Sequence, residues 1–152
     1  MVIDVEFEER YWYPDDGGIV WLAGYQPVAA DGRFLGREAP ELAGVRMSGV
    51  AGAARFHEAE LASEAAGPGR PLQLRRDAGN EHDENAVAVH LEGGAQLGFV
   101  PRDLAAELAP QLDAGRPWSA VVLREQRASP RDPRTGVTML LAPDAAIELR
   151  VR

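Results

Sequence analysis

Cysteine is absent from the chain, and so is lysine. Without cysteine there are no disulfides, no thiolate metal sites and no thiol nucleophile. All 16 basic residues are arginines. Long apolar runs are also missing, and none approaches the ~20 residues that a helix needs to cross a bilayer. The first residues are acidic, not a basic region followed by an apolar stretch, so no signal peptide is visible and a cytoplasmic location is expected. Positive charge is scarce: the net charge is −8, with nine acids and three arginines in residues 1–44 against fifteen and thirteen in residues 45–152. That balance excludes broad, charge-driven binding to nucleic acid, which needs many phosphate neutralisations. It leaves room for a small, local arginine cluster.

What is present is an ordinary globular composition over 152 residues, enough for one domain with an appended arm. Residues 2–7 alternate Ile3, Val5 and Phe7 against acids, which predicts a half-buried strand. Tyr11, Trp12 and Tyr13 lead into a turn at Pro14-Asp15-Asp16-Gly17-Gly18, and Ile19–Leu22 is a second short strand. Residues 26–44 are rich in proline and glycine, and the main domain is expected from residue 45 to residue 152. Within it, residues 45–54 read as a glycine-marked strand and 57–66 as a helix stopped by Gly67-Pro68-Gly69. Residues 71–76, 85–91 and 95–100 read as strands, the last two joined by a hairpin at Glu92-Gly93-Gly94. Pro101 opens a helix whose Leu104, Leu108 and Leu112 form one stripe, with a kink or restart expected at Pro110. Strands at 117–126, 137–142 and 146–152 complete the chain. Many short strands and few helices predict a mostly β fold, a small barrel or a two-sheet sandwich.

The most patterned stretch is the polar run Asn80-Glu81-His82-Asp83-Glu84-Asn85 between two apolar strands. Asn80 and Asp83 are turn formers that bond to nearby backbone donors, so an ordinary turn explains them. Glu81, His82, Asp83 and Glu84 also offer metal-ligand atoms. Consecutive residues diverge, however, and no HExxH or calcium-loop spacing accompanies them. The serines sit in no G-x-S-x-G setting, so a serine nucleophile has no support.

The longer run from Leu74-Arg75-Arg76-Asp77 through Asn80, His82-Asp83, Asn85-Ala86-Val87 and Val89 resembles the signature of HIRAN domains. The likeness continues through Gly98-Phe99-Val100-Pro101 and the helix with Leu104, Ala105 and Leu108. Upstream, Val50-Ala51-Gly52 followed by Phe56 is similar to the family's first strand. The resemblance covers about residues 45–142, departs at Ala78, where proline is usual, and leaves residues 1–44 as an acidic extension.

The resemblance implies an OB-like β-barrel with one or two inserted helices, and a non-catalytic module that grips the free 3′ end of single-stranded DNA. It implies a setting in DNA repair or replication-fork processing, with a helicase or nuclease as partner, and no cofactor. Carried onto this chain, Asp83 accepts a hydrogen bond from the terminal 3′-hydroxyl. His82 and Asn80 flank it, Phe56 with Arg55 supplies stacking, and Arg102 meets a phosphate at the helix start. Arg76 is a further candidate from the strand end. Two other readings stay open. One is a metal-dependent phosphoesterase using Glu81, His82, Asp83 and Glu84. The other is a protein-interaction adaptor presenting Tyr11, Trp12, Tyr13 and Trp21. Phe99 is either a core residue or a ligand platform.

Overall fold

The computed structural model describes residues 1–13 and 18–152, so most of the turn expected after Tyr13 lies outside the described residues. Among the described residues nine strands form one sheet: β1 (Val2–Trp12), β2 (Val20–Pro27), β3 (Arg46–Gly49), β4 (Pro71–Arg76), β5 (Val87–Leu91), β6 (Gln96–Phe99), β7 (Ser119–Arg127), β8 (Arg134–Ala142) and β9 (Glu148–Val151). The helices are α1 (Ala53–Phe56), α2 (Glu58–Ala62) and α3 (Arg102–Asp113). Among the described residues no helix is long and apolar enough to cross a membrane. The mostly β reading holds.

The sheet closes on itself. Strands run in the order β6-β5-β4-β7, and β7 pairs along its other edge with β8, which pairs with β3. Just after β3 the chain crosses to the far edge: Ala51 N donates to Phe99 O at 2.8 Å and Phe99 N to Ala51 O at 2.9 Å. This bridge completes a small barrel. It depends on Gly98, where an added Cβ would lie 2.4 Å from Ala51 O and 2.8 Å from a Val50 methyl. Inside pack Val87, Val89, Leu97, Val122, Met139 and Leu141, closed off by Leu61 from α2 and Leu108 from α3.

The outer faces of β7 and β8 are covered by a second core. Val121, Leu123 and Leu140 meet Ile3 and Val5 of β1, with Ala29, Leu35 and Leu42 from the loop-rich segment before β3. β2 extends β7's edge at Trp21–Gly24, and β9 runs parallel to β1 at Val2–Val5. The loop-rich stretch thus carries Val28, Ala29, Leu35 and Leu42 as buried apolar side chains, consistent with the rule that apolar area, not regular structure, decides what packs.

Two local expectations are corrected. The helix predicted over 57–66 breaks at Ser63, which is extended at ψ 158°, leaving α2 and a single 3-10 turn. The buried Arg134 side chain explains the break by taking the carbonyls of Leu61 at 3.2 Å and Ser63 at 2.7 Å. Arg134 Nε lies 3.3 Å from a carboxylate oxygen of buried Glu125, which also pairs with Arg127. Pro110 does not interrupt α3, which runs on to Asp113. Pro110 and Ala106 are both exposed, so the Ala106 carbonyl that loses its partner faces water and costs little.

Gly98→Ala should therefore destabilise the fold by at least about 2 kcal/mol, since backbone must move to admit the methyl. Gly93→Ala, with nothing within 4 Å of the added carbon, is the matched control and should stay within ~0.5 kcal/mol. Urea denaturation of the two variants checks this; equal midpoints would show that the bridge tolerates a side chain.

Candidate nucleic-acid interface

The β4–β5 loop is held by its own side chains. Asn80 Oδ1 accepts from the backbone N–H of His82 at 2.9 Å and of Asp83 at 3.1 Å, while its Nδ2 donates to Asp77 Oδ2 at 3.1 Å. Asp83 Oδ1 accepts from Asn85 N at 2.9 Å. Two overlapping turns result, each capped by a short polar side chain. Asp77 N to Ala86 O at 2.9 Å closes the neck.

Arg76 braces the loop from behind. Its guanidinium donates to Ala86 O at 2.7 Å and Glu84 O at 3.0 Å, and grips Asp113 of α3 through two bonds of 2.9 and 3.2 Å. The hydrogen bond from Arg76 holds the Asp113 carboxyl below its ordinary value. In return Asp113 raises the Arg76 pKa, with Asp83 and Asp77 as further negative neighbours. A fork-shaped cation that bonds both carbonyls and carboxylate suits this brace. The polar loop is thus fastened to the helix that follows the barrel's third hairpin strand.

Asp83 stands where two clefts meet. One, of about 520 Å³, is polar and lined by residues 80–85 with Arg102, Asp103 and Ala106 of α3. The other, of about 280 Å³, has Ala51, Ala86, Phe99 and Val100 as apolar lining, with Asn80, His82, Asp83 and Arg102 at its polar side. Asp83 is partly buried. One of its oxygens caps the loop, and the other takes no hydrogen bond among the described residues. Arg102 makes one long contact, 3.5 Å to His82 O, and no ion pair among the described residues.

The structure brings Asp83, His82, Asn80 and Arg102 together. It does not bring Arg76 to the cleft, because that side chain is spent behind the loop. Arg55 and Phe56 lie on α1, outside both cleft linings. Arg55 stacks over the Phe56 ring at 5.1 Å, and Phe56 is 69% exposed. The ring sits against Gly52, next to the cleft residue Ala51. Phe99 is half-buried and lines the apolar cleft. Ala51 was not singled out as a site residue, and a lone alanine carries no signal for one. Among the described residues no three His, Asp or Glu side chains converge as a metal site, and Glu81 and Glu84 are exposed.

Comparison with known proteins bears on this site. Among solved structures, the HIRAN domain of human HLTF is 22% identical, with 66% of this chain and 78% of that one covered at a TM-score of 0.48. A structural-genomics protein from Lactobacillus plantarum is 19% identical, covering 65% of this chain and 99% of that one, with a TM-score of 0.44. No curated protein matches. The HIRAN domain family matches residues 46–138, which contain the closing strand, the braced loop, α3 and most of the barrel. With well over half of its length inside that match, the chain belongs to the HIRAN domain family.

Proposed function

We propose that this protein is a non-catalytic module that binds single-stranded DNA through its free 3′-hydroxyl end, with Asp83 as the end-sensing group. The observation that carries the reading is the division of labour on that carboxylate. One oxygen is fixed by Asn85 N, and the other is left open at the junction of a polar and an apolar cleft. An ionised carboxylate only accepts hydrogen bonds. It therefore favours a sugar hydroxyl, repels a terminal phosphate, and selects the end without reading a base. The terminal sugar and base have apolar surface to meet at Ala51 and Phe99, and stacking on a ring contributes ~1–3 kcal/mol per base regardless of sequence.

Arg102 supplies the phosphate contact. Its guanidinium has no carboxylate partner among the described residues and lies beside the first turn of α3, where unpaired backbone N–H groups favour an anion. Phe56 and Arg55 stand further along as a stacking surface for the preceding nucleotides. The domain proper is residues 45–152, and residues 1–44 brace it by covering the outer face of β7 and β8. A role at replication forks or in DNA repair, beside a helicase or nuclease, follows from a module that holds ends without cutting them. The exposed Tyr11, Trp12 and Tyr13 favour a protein contact as a second reading.

Asp83→Asn should lower affinity for a 3′-hydroxyl oligonucleotide about 10- to 100-fold, the worth of one charge-assisted hydrogen bond. It should also abolish preference over the 3′-phosphate form. Fluorescence anisotropy with the two oligonucleotides checks this, and equal binding of both by the native chain would sink the pocket. Arg102→Ala should weaken both ends alike and flatten the salt dependence by about one phosphate's worth, ~0.7 in log–log slope for a single strand.

The brace makes a third expectation. A carboxyl with a depressed folded-state value contributes stability above its unfolded value and loses it as pH falls through the folded one. The Arg76–Asp113 contribution should thus be complete above the ordinary carboxylate value of 3.8 and be lost only as pH falls from there through the lower folded-state value. The protection factors of the residue 80–85 amides, which remove the intrinsic pH dependence of exchange, should be high at pH 7, fall in Asp113→Asn, and fall in the native chain only in acid.

A further inference from the structure

The outer edge of β1 is only half used. β9 covers it at Val2–Val5, and among the described residues no strand pairs with it beyond that point. Alternation fixes which backbone groups lie on this edge. Met1 O and Val5 O accept from Glu148 N and Arg152 N on the β9 side, whereas Asp4 O accepts from Val28 N on the β2 side. Odd-numbered residues of β1 thus turn their N–H and C=O groups outward, and even-numbered ones turn theirs toward β2. In the free stretch, residues 6–12, the outward groups belong to Phe7, Glu9 and Tyr11.

A bare strand edge is a template for another strand, and natural edges are blunted by lysine, proline or a bulge. Residues 6–12 contain no lysine and no proline, and their register with β2 is unbroken. Phe7, Tyr11 and Trp12 favour strands and are each about half exposed. The remaining side chains, Glu6, Glu8, Glu9 and Arg10, are all charged, so whatever lies on this edge must match both its charges and its rings.

A second copy of the same strand does so. Laid antiparallel with Glu9 on the two-fold axis, it uses the whole free edge and stops where Arg152 takes Val5 O. Glu8 then faces Arg10 of the second copy, and Arg10 faces its Glu8. These are the non-hydrogen-bonded pairs, in which side chains approach most closely. Glu8 and Arg10 already lie on one face, 3.5 Å apart within the chain, so the two copies alternate acid and base across the axis. On the opposite face Phe7 meets Tyr11. Opposite charges and aromatic pairs both stabilise facing strands. The unfavourable pair, Glu9 with itself, falls at the wider hydrogen-bonded spacing.

We propose that residues 6–12 of β1 pair with the same residues of a second copy, antiparallel about Glu9, and join two sheets across a two-fold axis. A two-fold contact closes at two copies, so the product is a dimer and not a fibre. The edge shares no residue with the Asp83 clefts, and the dimer stands or falls independently of end binding.

Sedimentation velocity of the full chain, from micromolar to submillimolar concentration, tests the pairing. A concentration-dependent dimer is expected. Glu9→Pro removes an outward N–H and no bond to β2, so it should leave a folded monomer. Arg10→Glu, which sets two acids opposite each other, should raise the dimer Kd at least tenfold, and it keeps the test valid if the proline variant fails to fold. The chain has no cysteine, so a single thiol reports the register. Facing residues of a hydrogen-bonded pair lie about 5.5 Å apart at Cα, within the span of a disulfide. Oxidised glutathione should link Glu9→Cys chains to one another and leave Glu6→Cys chains, which face Trp12, unlinked. A monomer at every concentration would overturn the proposal and leave the edge to another protein's strand. A dimer unweakened by Arg10→Glu, or equal linking of the two cysteine variants, would overturn it by placing the contact elsewhere.

Discussion

The barrel rests on one close approach. Ala51 and Phe99 exchange two backbone hydrogen bonds across the point where the first and last edges of the ring meet. They can do so only because Gly98 has no side chain. Closing the ring removes exposed edges on both sides, which is how small antiparallel barrels avoid unpaired backbone groups. The same closure makes a wall of the apolar cleft, since Ala51 and Phe99 line it. Fold and candidate site therefore depend on one missing methyl group. The site then needs no large conformational change to exist.

What the closure builds, the β4–β5 loop furnishes. A run of six polar residues would be a floppy connection if its backbone groups were left to water. Instead Asn80 and Asp83 accept from them, Asp77 holds the Asn80 amide, and Arg76 locks the loop to α3 through Asp113. The ordering cost of each added nucleotide contact falls when the protein side is already arranged. This also explains why the two aspartates of the loop play different parts. Asp77 is spent on Asn80, whereas Asp83 retains a free oxygen at the cleft.

The N-terminal strands add a second layer to this frame. β7 and β8 are buried on both faces, by the barrel interior and by Ile3, Val5, Leu35 and Leu42. Strands covered on both sides lose the clean alternation of one-sided strands, and Val121-Val122-Leu123 reads as such a run. The acids of β1 alternate with its buried residues, which places much of the chain's negative charge on this layer.

The sequence by itself determined the secondary elements that carry strong periodicity and turn chemistry: the β5–β6 hairpin around Gly93-Gly94, α3 from its leucine stripe, and β1 from its alternation. It also determined the family, because the polar run and the Gly98-Phe99-Val100-Pro101 segment are ordered motifs. Tertiary structure alone decided the rest, because the deciding groups are distant in sequence. Arg134 breaks the helix at Ser63 from about 70 positions away, and Asp113 takes Arg76 away from any ligand. Phe56 was legible as an aromatic near the first strand, but its place on α1 outside the clefts was not. Periodicity reports which face of an element is apolar. It cannot report which distant cation will capture a carbonyl or a carboxylate, because that depends on how the elements pack, not on the order in which they occur.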